Sequence, residues 1–248
     1  MLIIPAVDIR KGKCVRLVKG KVDQETVYFN DPVQAACKWA EAGAPLLHLV
    51  DLDGAFAGVP KNLEIIKRIR KSVDIPLQLG GGMRNLETIN RVLSMGINRV
   101  ILGTAAVFNG ELVEEACSLY GERILVGIDS KEGKVAIQGW EQVAQKGIVE
   151  FARELEEKGV KGVIFTDTGR DGTLRGPNFE SIMDFLDKIS LKVIVSGGIS
   201  RIEDIKNLLN LGCSNLEGVI IGKALYDGSV DLKEALRLVG AKRCKQKE

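Results

Sequence analysis

A chain of 248 residues with 45% apolar and 27% charged side chains has the make-up of a soluble globular protein, with room for one large (β/α) barrel. Its net charge is only +2, and the C-terminal run Lys242, Arg243, Lys245, Lys247, Glu248 exceeds that by itself, so no basic face suited to nucleic acid or an anionic membrane remains. Five cysteines, Cys14, Cys37, Cys117, Cys213 and Cys244, form no CxxC pair, and no apolar run approaches the roughly 20 residues of a membrane span. A cytoplasmic, monomeric protein with reduced thiols, no metal and a solvated basic tail is expected.

Leu2 to Val7 is a short apolar run ending in Asp8, the pattern of a strand buried on both faces with a polar residue at its exit. Ile9 to Asn30, with two Gly-Lys pairs and the alternating CVRLV, reads as a long mobile loop carrying a small hairpin. Asp31-Pro32 caps and opens a first helix that Gly43 closes. A second strand, Leu46 to Val50, ends in Asp51; the turn-rich DLDGAFAGVPKN follows, and then a helix over Asn62 to Val73. Pro76 to Val107 reads as strand, glycine turn, amphipathic helix, strand and second glycine turn. Beyond it come a helix over Glu111 to Tyr120 and a fifth strand, Ile124 to Ile128, ending in Asp129. Ser130 to Gln142 is another long glycine-bearing loop before a helix predicted over Val143 to Lys158. A sixth strand, Gly162 to Phe165, ends near Thr166-Asp167 and leads through TGRDGTLRGPN to a helix over Phe179 to Ile189. Lys192 to Tyr226 repeats the βαβ pattern, and a helix over Asp231 to Val239 finishes the chain.

The repetition is internal homology. An offset of 116 positions lays Gly81-Gly82 on Gly197-Gly198, and pairs Glu87 with Glu203, Leu93 with Leu209 and Asp51 with Asp167. After a small insertion Gly103 falls on Gly222, and an offset of 121 pairs Asp8 with Asp129. Eight strands, each followed by a helix, without a composition break, predict a single-domain α/β fold: a (β/α)8 TIM barrel with internal half-barrel duplication. A pseudo-twofold axis down such a barrel sets Asp8 opposite Asp129.

Glycines after a strand allow a ligand close to the backbone, whose amides there suit an anion. One glycine pair is ordinarily just a turn. Gly81, Gly82, Gly103 and Thr104, matched by Gly197, Gly198, Gly222 and Lys223, predict two phosphate cradles. Arg84, just after the first pair, and Arg16 are candidate cations beside them. Asp8, Asp51, Asp129, Thr166, Asp167 and Asp171 belong to the catalytic rim of a barrel, and about half of these carboxylates are expected to cap loops instead. Two carboxylates between two cradles suit an acid and a base flanking a substrate phosphorylated at both ends. The only histidine, His48, reads as a hydrogen-bonded core residue; neither a zinc set nor a nucleotide or nucleophile motif is present, and no cofactor is expected.

IIPAVDIRKGKCVRL, HLVDLDGAFAG, LGGGMRN, LGTAAV, GIDSKEGKVAIQGW, TDTGRDGTLRGPN, SGGIS and IIGKALY together resemble the histidine-biosynthesis isomerases that act on phosphoribosylformimino-aminoimidazole carboxamide ribotide. The resemblance spans Met1 to about Leu238. It implies an Amadori rearrangement of an aminoaldose to an aminoketose, with Asp8 at the position of the base and Asp129 at that of the acid. Asp171 is an alternative proton donor, Thr166 a residue orienting whichever group acts, and Trp140 a stacking plate for the imidazole carboxamide. A bifunctional isomerase that also takes phosphoribosylanthranilate, and the related cyclase subunit of imidazole glycerol phosphate synthase, are the competing readings.

Overall fold

The structure is a computed structural model that describes residues 1–137, 139, 140 and 142–245. In chain order the strands and helices are β1 (Leu2–Arg10), β2 (Lys13–Val18), β3 (Lys21–Phe29), α1 (Pro32–Glu41), β4 (Leu47–Asp51), α2 (Leu52–Ala57), α3 (Leu63–Ser72), β5 (Leu77–Gly80), α4 (Leu86–Ser94), β6 (Arg99–Leu102), α5 (Thr104–Phe108) and α6 (Gly110–Tyr120). A 3-10 turn at Gly121–Arg123 precedes β7 (Ile124–Lys131), β8 (Lys134–Ile137), β9 (Gln142–Gly147), α7 (Ile148–Glu157), β10 (Gly162–Asp167), α8 (Phe179–Lys188), β11 (Lys192–Ser196), α9 (Ile202–Asn210), β12 (Leu216–Ile221), α10 (Lys223–Tyr226) and α11 (Leu232–Lys245).

Eight parallel strands, β1, β4, β5, β6, β7, β10, β11 and β12, pair in that order, and β12 returns to β1, which closes the ring. Their near-continuous apolar runs follow from burial on both faces. Ile4, Ala6, Leu46, Ile101, Leu125, Ile164, Ile194 and Ile220 fill the interior of the barrel, while a larger apolar shell packs the strands' outer faces against the helices. Local rules place the helix starts. Asp31 accepts from the Val33 amide ahead of Pro32, Asn85 caps α4 through the Thr88 amide, and Asn178 caps α8 through the Ser181 amide.

The duplication extends to hydrogen-bond register. His48 pairs with Gln78 where Ile164 pairs with Ile194, and Asp8 pairs with Val50 where Asp129 pairs with Thr166. It also extends into the two segments read as loops. Ile9 to Asn30 is mostly the antiparallel hairpin β2–β3, and Ser130 to Gln142 begins the hairpin β8–β9, which runs on to Gly147. Ile9 pairs with Cys14 and Ser130 with Val135, the same register 121 residues apart. The helix predicted from Val143 therefore starts only at Ile148. The short helices α2 and α5 were not visible as such, because one turn or so of helix carries no amphipathic period. Near the C-terminus α11 runs to Lys245, past Val239, and the remainder of the basic tail lies outside the described residues. The thiols of Cys14, Cys37, Cys117 and Cys213 are free, and no helix among the described residues is long and apolar enough to cross a membrane.

Candidate active site

The C-terminal ends of the eight strands surround a cavity of about 260 Å3. Asp8, from β1, and Asp129, from β7, both line it, four strands apart around the ring and so on opposite walls. Asp171, from the loop after β10, lines it as well. The residues set beside each carboxylate differ. Arg16 of β2 donates from Nη1 to Asp8 Oδ2 at 2.7 Å, and its side chain is almost wholly buried. Asp129 is instead hydrogen-bonded by the Thr166 hydroxyl and the Trp140 indole.

Burial dominates the electrostatics of all three acids, because removal from water penalises the charged form. Asp8 is pushed up to about 6 by burial, with Arg16 opposing the shift and the Asp171 charge adding to it. Burial raises Asp129 too; the bonds from Trp140 and Thr166 hold it back, and Asp171 pushes it further. Asp171 is raised by burial against the pull of Arg16. Carboxyls whose hold on a proton is strengthened by burial therefore face one another across the cavity.

Asp51 and Asp167 do other work. Asp51 is fully buried and accepts from the amides of Gly54 (2.8 Å), Lys61 (2.6 Å) and Asn62 (2.9 Å), clipping the loop after β4 into place. Asp167 accepts from the Gly169 amide at 2.9 Å and shapes the turn that carries Asp171.

The glycine pairs have matching environments. Gly81 has φ 111° and packs against the Asp51 carbonyl; Gly197 has φ 91° and packs against the Asp167 carbonyl, where a Cβ would meet it at 2.9 Å. No other residue fits such a contact with a left-handed backbone. Gly81, Gly82, Arg84, Gly103 and Thr104 line the main cavity. Gly197, Gly198, Gly222 and Lys223 line a smaller one of about 20 Å3 that shares Arg16, Asp171, Ser196 and Ile220 with the first. The Arg16 guanidinium lies directly on Gly222, while that of Arg84 lies over Gly58 at the end of α2. Gly103 and Gly222 share φ −105°, with ψ −120° and −102°, and each precedes a short helix.

Trp140 lines the cavity at φ 72°, an unusual backbone for an aromatic residue, and its ring packs on Gly20 at the tip of the β2–β3 hairpin. The two hairpins thus meet at the cavity mouth. A bond from the Lys19 amide to the Asp171 carbonyl, 3.1 Å, joins the first of them to the loop after β10. Tyr28 ties the same hairpin to Asp227 beyond α10.

His48 corrects the sequence reading. It is hydrogen-bonded, to Gln78 at 3.0 Å, but its ring is part of the cavity wall and not of the core. Period-two counting back along β4 and the 116-residue offset to Ile164, whose side chain points inward, are the signals that reveal it. Phe56, exposed beside Gly139 at the mouth, was also missed, since α2 was read as a turn.

A closed barrel with a duplicated half, facing carboxylates and paired glycine turns at its C-terminal rim defines a (β/α)8 barrel with a carboxylate-lined cavity. Residues 2–231 match the family described as histidine biosynthesis protein, and the chain belongs to that family. It is 53% identical, over 99% of its own length and 95% of the relative's, to the 1-(5-phosphoribosyl)-5-((5-phosphoribosylamino)methylideneamino)imidazole-4-carboxamide isomerase of Pelotomaculum thermopropionicum. It is 54% identical to the isomerase of the same name from Desulforudis audaxviator, over 96% of this chain and 91% of the relative. That of Geobacter sulfurreducens is 51% identical over 96% and 98%.

Proposed function

We propose that this chain isomerises 1-(5-phosphoribosyl)-5-((5-phosphoribosylamino)methylideneamino)imidazole-4-carboxamide, an aminoaldose, to its ribulosyl aminoketose, as a cytoplasmic monomer without metal or cofactor. The observation that carries this reading is the mirrored pair Asp8 and Asp129 between two glycine cradles, which matches a substrate with a phosphate at each end. Chain-long identity to relatives named for that isomerisation supports it.

In the proposed mechanism the protonated Asp129 gives its proton to the ribose ring oxygen, and the ring opens to a Schiff base. Asp8, held ionised beside Arg16, removes the proton on C2. The resulting enolamine tautomerises to the ketone, C1 taking up one proton as the C2 hydroxyl gives one up, so the substrate gains two protons and loses two. Asp129 must be protonated when substrate arrives, and burial together with the nearby Asp171 charge favours that state. Asp171 then acts by holding that proton in place, and Thr166 orients the carboxyl. The cradle of Gly81, Gly82, Gly103 and Thr104, with Arg84, holds one phosphate; that of Gly197, Gly198, Gly222 and Lys223, with Arg16, holds the other. Trp140 covers the imidazole carboxamide.

A cyclase needs a route for ammonia through the opposite end of the barrel. There Arg99 of β6 reaches across the axis to Glu217 of β12 at 2.8 Å, on a strand whose register shifts at that level. The bridge spans that end, and the preference for the isomerase rests on the chain-long identity to relatives named for that reaction. Purified protein incubated with the ribotide in metal-free buffer should convert it, followed by absorbance; no conversion overturns the proposal.

A further inference from the structure

The substrate proposed above is close to palindromic, with a phosphoribosyl group on either side of an imidazole carboxamide, and the site is close to twofold symmetric. Such a pair admits two binding orientations. Only one of them puts the aminoaldose between the carboxylates in the order that the chemistry needs. Something in the cavity wall must therefore break the symmetry.

The strand register shows where this happens. In one half, Ala6, His48 and Gln78 lie side by side on β1, β4 and β5; the equivalent positions on β7, β10 and β11 are Gly127, Ile164 and Ile194. A polar pair thus stands opposite an apolar pair at the same depth. Gln78 is fully buried, and its Oε1 has no hydrogen-bond partner, an uncommon arrangement deep in a barrel. Its Nε2 lies 3.0 Å from His48 Nδ1. With the amide nitrogen turned toward the ring, Gln78 donates, so Nδ1 accepts and the ring proton resides on Nε2. Burial, with a smaller contribution from the Arg16 charge, pushes His48 down to about 3, so the ring stays neutral at every working pH. A neutral N–H of fixed direction recognises an oxygen without adding a positive charge near Asp8.

We propose that His48, with its tautomer fixed by Gln78, sets the orientation of the bisphosphate by donating from Nε2 to a hydroxyl of the sugar on its own side of the barrel. Ile164 offers no donor on the opposite wall, and the opened amino-sugar and the closed imidazole-bound ribose present their hydroxyls in different places, so only one orientation pairs the His48 donor. His48 is a substrate-contacting specificity residue and Gln78 a positioning residue. The inference rests on the isomerase reading above.

The chain's only histidine makes the test direct. In wild-type protein labelled with 15N-histidine, the single ring should show the Nε2–H tautomer from pH 5 to 8, with its Nε2 signal moving when the ketose product is added at saturation. The 31P spectrum of the same complex should show two bound phosphate resonances, one per cradle. In His48→Ile, which copies the opposite wall, kcat/KM should fall by roughly 10- to 100-fold. The bound phosphates should then give four resonances, or two at averaged positions, as both orientations fill. Gln78→Leu, which keeps the ring, should mix the tautomers and weaken the preference in the same direction. Wild-type kinetics with two unshifted phosphate resonances in His48→Ile overturns the orientation proposal while leaving the isomerase reading intact, and so does an Nδ1–H tautomer in the wild type. A wild-type protein that does not bind the bisphosphate overturns both.

Discussion

The two halves of the barrel share a backbone and differ in what surrounds their carboxylates. Asp8 has Val50 as its strand neighbour and an ion pair to Arg16; Asp129 has Thr166 and Trp140, and the residue equivalent to Arg16 is the buried Ile137. A cation beside a buried acid favours the ionised form, which suits a base. Neutral donors favour it less and leave burial and a neighbouring carboxylate to keep a proton on, which suits an acid. In the proposed mechanism the acid–base division comes from a few substituted neighbours upon a repeated scaffold.

Removing either member of the pair should have the largest effect. Asp8→Asn and Asp129→Asn are each expected to lower kcat by about 1,000-fold, measured by steady-state absorbance, with bisphosphate binding and the circular dichroism spectrum retained. Asp8→Asn should also be no less stable than wild type above pH 6. The folded-state pKa of Asp8 is raised to about 6, so the neutral carboxyl favours the fold below about 4, and that contribution is lost as the pH rises through 6. An amide never incurs that loss. Thermal melts at pH 5 and pH 8 check the sign.

Thr166→Val makes the second half resemble the first, where Val50 holds the equivalent place. We expect a drop of roughly 10- to 100-fold in kcat/KM and an alkaline limb moved to higher pH, since Asp129 loses a bond that favours ionisation. The wild-type acid limb should fall near 6, where Asp8 takes up its proton.

Asp171→Asn distinguishes an acid from a residue that tunes one. Its charge raises both Asp8 and Asp129, so its removal should move both limbs of the pH profile downward at a cost of only a few-fold in rate. A loss of about 1,000-fold would give it the donor's role. Smallest in its effect on turnover is Arg99→Met, which leaves Glu217 unpaired at the N-terminal end of the barrel. It should lower the melting temperature by several degrees with kcat unchanged.

Much of this was legible in the sequence. Apolar runs ending in aspartate marked the strands, and the offset of Gly81-Gly82 on Gly197-Gly198 located the duplication and the glycine pairs that line the two cavities. Asp51 and Asp167 could not be told from Asp8 and Asp129, because strand exits look alike until their hydrogen bonds are known; Asp51 has turned to clip its own loop. The hairpins after β1 and β7 were read mainly as loops, since their strands are short and β3 is largely exposed. His48 was placed in the core because sequence alone does not say which face of a doubly buried strand looks inward.

The most direct measurement is a crystal structure of Asp8→Asn with the bisphosphate substrate bound. One phosphate should rest on Gly81, Gly82 and Gly103 and the other on Gly197, Gly198 and Gly222, with the sugar between residue 8 and Asp129. Both phosphates in one cradle, or one of them out in solvent, would contradict the account.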